Sequence, residues 1–134
     1  MKGYEITWKR GFKLVNDKST LLELKKMVEQ FCVDRDWDQF HNPKDLAIGI
    51  STEANELLDL FRFKSEDEMR ELMKDQTKRE RVGEELADTF FFILRFAQMN
   101  HFDLAEILND KITKNDKKYP VAKIKGKNLK YNEL

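Results

Sequence analysis

The chain has 134 residues, with 25 Lys and Arg against 25 Asp and Glu and a formal net charge of zero. That length suits one domain with a real core and not two, and the balanced charge gives no global ground for a nucleic-acid polymer or an anionic membrane as partner. The single cysteine, Cys32, forms no internal disulfide; no apolar run approaches a membrane span, and Met1 to Thr20 has no apolar signal core, so the expectation is a cytoplasmic protein in a reducing compartment.

Residues 1–20 form an N-terminal arm. Tyr4, Ile6 and Trp8 alternate with polar residues, which fits either a short strand or a packing arm. Thr20 with Glu23 is a capping box, and Leu21, Leu24, Val28 and Phe31 carry helical spacing to about Arg35. Asn42 and Pro43, with Asp45 in the first turn, start a second helix expected to reach about Phe63. Ser65 begins a short polar helix from Glu66 to about Asp75. Thr77 with Glu80 is a further capping box, predicting a helix from near Lys78 to about Asn100. Asp103 caps a last helix that ends at Tyr119, before Pro120, and residues 121–134 read as an extended Lys-rich tail. The class is all-α: four main helices and a short fifth in a bundle, with the helical domain over residues 21–120. Phe90, Phe91, Phe92, Ile93 and Phe96 exceed what one side of a small bundle buries, which predicts assembly through helices into a homodimer or homotetramer.

Two acidic pairs stand out. Glu53 and Glu56 lie on the second helix, and Glu85 and Asp88 on the fourth, each pair at i, i+3 and so on one helical face. Glu53 falls in the middle of the apolar stripe Leu46, Ile50, Leu57, Leu60 and Phe61, where a core residue belongs. Glu85 and Asp88 share a face with Phe92 in a stretch that is apolar nearly all round. Residues 57–84 leave room for the chain to turn and bring the two pairs together. Converging carboxylates repel and need a counter-charge, and a hard divalent cation such as Mg2+, which takes oxygen ligands and is commonly shared with substrate phosphates, supplies it most economically. A di-iron carboxylate bundle would need Glu-x-x-His from two helices, but His41 is preceded at three by Asp38 and His101 by Gln98. The non-enzymatic alternative is a helical interaction module that binds a basic partner through exposed acids.

The ExxE and ExxD pairs, the stretch Arg35-Asp-Trp-Asp-Gln-Phe-His-Asn-Pro43, the run Lys111 to Pro120 and the tail Leu129 to Leu134 together resemble the MazG-like all-α nucleoside triphosphate pyrophosphohydrolases, in particular their dCTP pyrophosphatase branch. The resemblance covers about residues 21–134. It implies a helical oligomer that uses Mg2+ to convert a nucleoside triphosphate to the monophosphate and pyrophosphate, in nucleotide-pool sanitation, by attack of a metal-polarised water on the α-phosphorus. Glu53, Glu56, Glu85 and Asp88 would then be the metal-binding and catalytic residues, with one of them or Glu84 taking the proton.

Lys111, Asn115 and Lys118 lie on one face of the last helix and are candidate phosphate contacts, with Tyr119 beside them; lysines at a helix C-terminus also complement the dipole. Trp37 and Phe40 are candidates to sandwich a base, and His41 to contact base or phosphate, whereas His101 reads as structural. The branch has Trp where this chain has Phe63 and Tyr where it has Phe92. Both positions keep an aromatic face for the substrate but lose a polar handle.

Overall fold

The structure is a computed structural model that describes Asn16 and residues 18–134. The expectation for Tyr4 to Trp8 lies outside the described residues. Those residues hold α1 (Leu21–Val33), a 3-10 turn (Asp38–Phe40), α2 (Pro43–Asp59), α3 (Glu66–Lys74), α4 (Gln76–Met99), α5 (Leu104–Lys118), α6 (Val121–Ile124) and a second 3-10 turn (Tyr131–Glu133), with no strand among them. The all-α expectation holds.

Most helix starts follow the side-chain chemistry. Thr20 accepts from the Glu23 amide while Glu23 reaches back to the Thr20 amide, and Ser65 with Glu68 repeats the arrangement at α3. Asn42 accepts from the Asp45 amide, with Pro43 in the first turn of α2. Two boundaries differ from expectation. The fourth helix starts at Gln76 and not near Lys78, because Asp75, and not Thr77, caps it, accepting from the Lys78 amide at 2.9 Å. The second helix ends at Asp59, and Leu60 to Phe63 form a turn. That turn leaves Phe63 at φ 62°, a left-handed conformation that costs a bulky residue free energy.

The described residues form two units, which divide between His101 and Phe102. In the first, α4 is the central element and packs against α2, α1 and α3. Its core comprises Val28 and Cys32 of α1, Leu46 of α2, Leu72 of α3, and Val82, Leu94 and Ala97 of α4. Burial raises the Cys32 thiol pKa, as expected of an inert core cysteine. At Gly49 α2 lies against the Phe92 side chain of α4, and a Cβ there would stand 2.6 Å from the ring. Glycine is required there because the ring occupies the space. Ile48, Leu58, Leu86 and Phe90 of these two helices remain exposed.

The second unit contains α5, whose N-terminus Asp103 caps by accepting from the Glu106 amide. Its tail is not fully extended as expected. Val121–Ile124 makes a helical turn after Pro120, and Tyr131 comes back so that Lys118 Nζ lies 4.3 Å from its ring centroid. A cation over an aromatic face is attracted to it by about 0.5–1 kcal/mol at an exposed site. No helix among the described residues is long and apolar enough to cross a membrane.

Candidate active site

Helices α2 and α4 bring their acids together. Glu53, Glu56 and Glu85 each offer a carboxylate oxygen, and the three oxygens lie within 4.8 Å of one another. Asp88, one turn further along α4, is exposed and outside that trio, yet its charge acts on both Glu53 and Glu85. The four acids foreseen as one cluster are thus three that converge and a fourth beside them.

The electrostatics are those of a site short of positive charge. Desolvation first, and then the charges of Glu56 and Asp88, push the Glu53 carboxyl above the ordinary glutamate range. Glu85 is raised likewise, by desolvation, by the charge of Glu56, by a hydrogen bond with the Glu56 carboxyl, and by Asp88 and Glu53. A hydrogen bond between two carboxyl groups requires a proton on one of them. With both ionised, Glu85 Oε2 is covered by its neighbours and has no donor. A buried anionic oxygen without a partner is costly, and a divalent cation satisfies it without a proton. The donor set, three carboxylate oxygens from two rigid helices, suits Mg2+ or a similar hard ion.

A cavity of about 660 Å³ opens beside the trio, with Glu56 and Glu85 in its wall and Asn55, Asp59, Arg62 and Arg81 around them. Arg62 approaches Asp59 only to 3.9 Å, and Arg81 has no ion-pair partner among the described residues. The cavity is therefore lined by carboxylates and by two guanidinium groups. Neither arginine was anticipated from the sequence. The available signal was the i, i+4 spacing of Arg81 and Glu85, which puts them on one face of α4.

Three of the candidates on the first unit, Phe92, Trp37 and His41, belong to one connected wall. Phe92 packs on Gly49 and meets Phe91 edge-to-face at 5.5 Å; Phe91 meets Phe31 at 5.8 Å, Phe31 meets Trp37 at 5.7 Å, and Trp37 meets His41 at 6.1 Å. Arg35 lies 3.6 Å over the Phe31 ring and donates to the Phe31 carbonyl. Phe40 points outward and is exposed, and Phe63, on its strained turn, is 90% exposed with Arg62 at 4.6 Å from its ring. Trp37 and Phe40 make no direct ring contact with each other. His41 accepts from Arg95 through Nδ1.

Of the candidates on the second unit, Lys111 and Lys118 are exposed on α5, Asn115 is half-buried, and Tyr119 closes the helix by donating its amide to the Asn115 carbonyl at 2.8 Å. Lys118 already engages Tyr131.

This is an all-helical fold in which two adjacent helices bring together three carboxylates that could hold a metal ion. The family match is consistent with that arrangement: residues 48–134 match the MazG-like family, and the chain belongs to it. It is similar to dCTP pyrophosphatase 1 of Mus musculus, 32% identical over 115 residues that cover 86% of this chain and 68% of the mouse protein, and to dCTP pyrophosphatase 1 of Homo sapiens, 30% identical over the same coverage. The crystal structure of a pyrophosphatase from Archaeoglobus fulgidus superposes with a TM-score of 0.71 and 32% identity, over 81% of this chain and 99% of that one.

Proposed function

We propose that the chain is a nucleotide pyrophosphohydrolase that uses Mg2+ to split a nucleoside or deoxynucleoside triphosphate into the monophosphate and pyrophosphate. The observation that carries this reading is the convergence of Glu53, Glu56 and Glu85 within 4.8 Å, with Glu85 Oε2 buried and lacking a donor. The likeness to dCTP pyrophosphatases supports the same reaction and makes a pyrimidine deoxynucleotide the first substrate to try.

Glu53, Glu56 and Glu85 hold the cation, and Asp88 adds negative charge beside them. When bound, Mg2+ neutralises phosphate charge and makes water a better nucleophile at neutral pH. Phosphoryl transfer asks the protein for positioning and charge compensation rather than covalent chemistry. Arg62 and Arg81 offer guanidinium groups to the outer phosphates from the side of the cavity. Water attacks the α-phosphorus opposite the departing pyrophosphate, and its proton passes to a carboxylate of the cluster or to neighbouring Glu84. Phe92 and the wall that ends at Trp37 and His41 receive the base, with Phe40 and Phe63 as further aromatic contacts. Lys111, Asn115, Lys118 and Tyr119 are proposed phosphate contacts on the family resemblance alone.

The exposed Ile48, Leu58, Leu86 and Phe90 support assembly of two or four copies through α2 and α4, and nucleotide-pool sanitation in the cytoplasm is the role that fits this reaction. The test is a panel of ribo- and deoxynucleoside triphosphates with and without Mg2+, read out for pyrophosphate and monophosphate. Hydrolysis of at least one, abolished by chelation, is the expected result. No hydrolysis of any member would refute the proposal and leave a helical interaction module in its place.

A further inference from the structure

Arg95 is the one fully buried charged side chain among the described residues, 1% exposed in the middle of α4. A buried charge is weak evidence for stability, since apolar residues of similar volume often serve a core as well or better. Its hydrogen bonds indicate another use. The guanidinium donates through Nε to His41 Nδ1 at 2.9 Å, through one terminal nitrogen to Gln98 Oε1 at 2.6 Å, and through the other to the Asp38 carboxylate. Two of these acceptors, Asp38 and His41, flank the short 3-10 turn after Trp37. The planar fork of arginine fixes both ends of that turn at once, which a lysine would not do. From the other side, Gln39 donates to the carbonyl and carboxylate of Asp36, whose left-handed backbone at φ 54° redirects the chain after α1.

The location joins this turn to the site. Arg95 is seven residues beyond Asp88 on the same helix, which is the same face about 10 Å along at 1.5 Å per residue. The wall from Phe92 through Phe91 and Phe31 to Trp37 and His41 bridges that interval. Because His41 Nδ1 accepts, the imidazole carries its proton on Nε2. Burial and the Arg95 charge hold the ring neutral by lowering its pKa, against a smaller opposing effect of Asp38. His41 Nε2 makes no hydrogen bond among the described residues and is a donor available to a ligand.

We propose that Arg95 is a positioning residue for nucleobase recognition, clamping Asp38 and His41 so that Trp37 and the Nε2–H of His41 form the base end of the site two helical turns from the acids. This rests on the reading of the chain as a nucleoside triphosphate pyrophosphohydrolase. It adds a residue that acts on the base only through the turn it holds.

The experiment compares wild type, Arg95→Met and Asp38→Ala for KM and kcat on the best nucleoside triphosphate, and for the Ki of inorganic tripolyphosphate, a competitor that has phosphates and no base. Arg95→Met is expected to fold, because the methionine fills the space and the released Asp38, with its side chain already 56% exposed, returns to water. The expected result is a KM raised roughly tenfold or more, the scale of losing one base-stacking partner, with kcat held within about threefold and the tripolyphosphate Ki unchanged. Asp38→Ala, at the exposed rim of the cluster, should raise KM in the same sense. It also supplies the decisive comparison if Arg95→Met does not fold. A parallel loss of nucleotide and tripolyphosphate binding, or an unchanged nucleotide KM in a folded variant, would overturn the proposal. Wild type inactive on every nucleotide would instead overturn the enzymatic reading beneath it.

Discussion

The contact of Gly49 with Phe92 permits a prediction whose sign is set by one ring. Gly49 lies inside α2, where alanine is favoured over glycine by about 0.8–1.0 kcal/mol of helix propensity. Against this, the added Cβ would stand 2.6 Å from Cδ1 and Cε1 of Phe92 and 2.8 Å from Cγ. The whole ring must move, and the ring is also engaged edge-to-face by Phe91. Overpacking of this kind costs about 1–3 kcal/mol, so Gly49→Ala should be net destabilising, by up to about 2 kcal/mol. Phe92→Ala should cost less than the roughly 3–5 kcal/mol of a fully buried phenylalanine, since the ring is half-buried. In the Phe92→Ala background the clash is gone and only the propensity gain remains, so Gly49→Ala should stabilise by about 1 kcal/mol.

The assay is urea denaturation of the four metal-free proteins, accepting only those with equal m-values. The coupling should be about 1–3 kcal/mol, with inversion of sign between backgrounds. Glu53 lies one turn after Gly49 on α2, so the same displacement separates it from Glu85 and should weaken the Mg2+-induced rise in melting temperature. Equal effects of Gly49→Ala with and without the Phe92 ring would refute this account of how the helices are held together.

Three further outcomes follow from the acids and the cavity. Glu56→Gln, Glu85→Gln and Asp88→Asn should each cut hydrolysis steeply while leaving the metal-free melting temperature equal or higher, because each removes one of several repelling carboxylates; a folded amide variant with wild-type turnover would count against the metal site. Since Glu53 and Glu85 titrate above their ordinary range in the fold, their ionisation destabilises the metal-free protein at neutral pH and the penalty fades as pH falls towards about 4.3, the unperturbed glutamate value. The stability advantage of Glu85→Gln over wild type should therefore be present at pH 7 and shrink on acidification, and an advantage that grew would reverse the sign of the argument. Arg81→Met should raise KM and the Ki of tripolyphosphate together while Mg2+ still raises the melting temperature; an unchanged tripolyphosphate Ki would remove Arg81 from phosphate binding.

Much of this fold was legible in the chain because helix starts are local chemistry. Thr20, Asn42, Ser65 and Asp103 each bond an amide three residues on, a relation within reach of sequence alone. The start of α4 misled for the same reason: Asp75 and Thr77 are both good caps, and only the geometry of the turn from α3 selects Asp75. The acidic pairs were legible as i, i+3 carboxylates on apolar stripes, whereas the separation of Asp88 from the other three depends on how α2 and α4 cross. The tail gave a Lys-rich, Gly-interrupted pattern with no period, so the turn that brings Tyr131 to Lys118 left no local trace.

Arg95 and Gly49 were the least legible because their meaning is entirely tertiary. In sequence Arg95 is a lone charge in an apolar run, and its partners Asp38 and His41 lie 57 and 54 residues away. Gly49 looks like a weak helix position until the Phe92 ring appears above it. The two are nevertheless parts of one arrangement. Close approach at Gly49 lets carboxylates from α2 and α4 converge within 4.8 Å, and the face of α4 that bears Asp88 and Phe92 carries on to Arg95, which holds the turn after Trp37. A single helix thus spaces a charged centre from an aromatic wall by an interval fixed by its own rise. In the proposed reading, a nucleotide with its α-phosphate at the acids would be measured against that interval, and discrimination among bases would come from the turn that Arg95 holds rather than from the acids, which would meet the same triphosphate in every substrate.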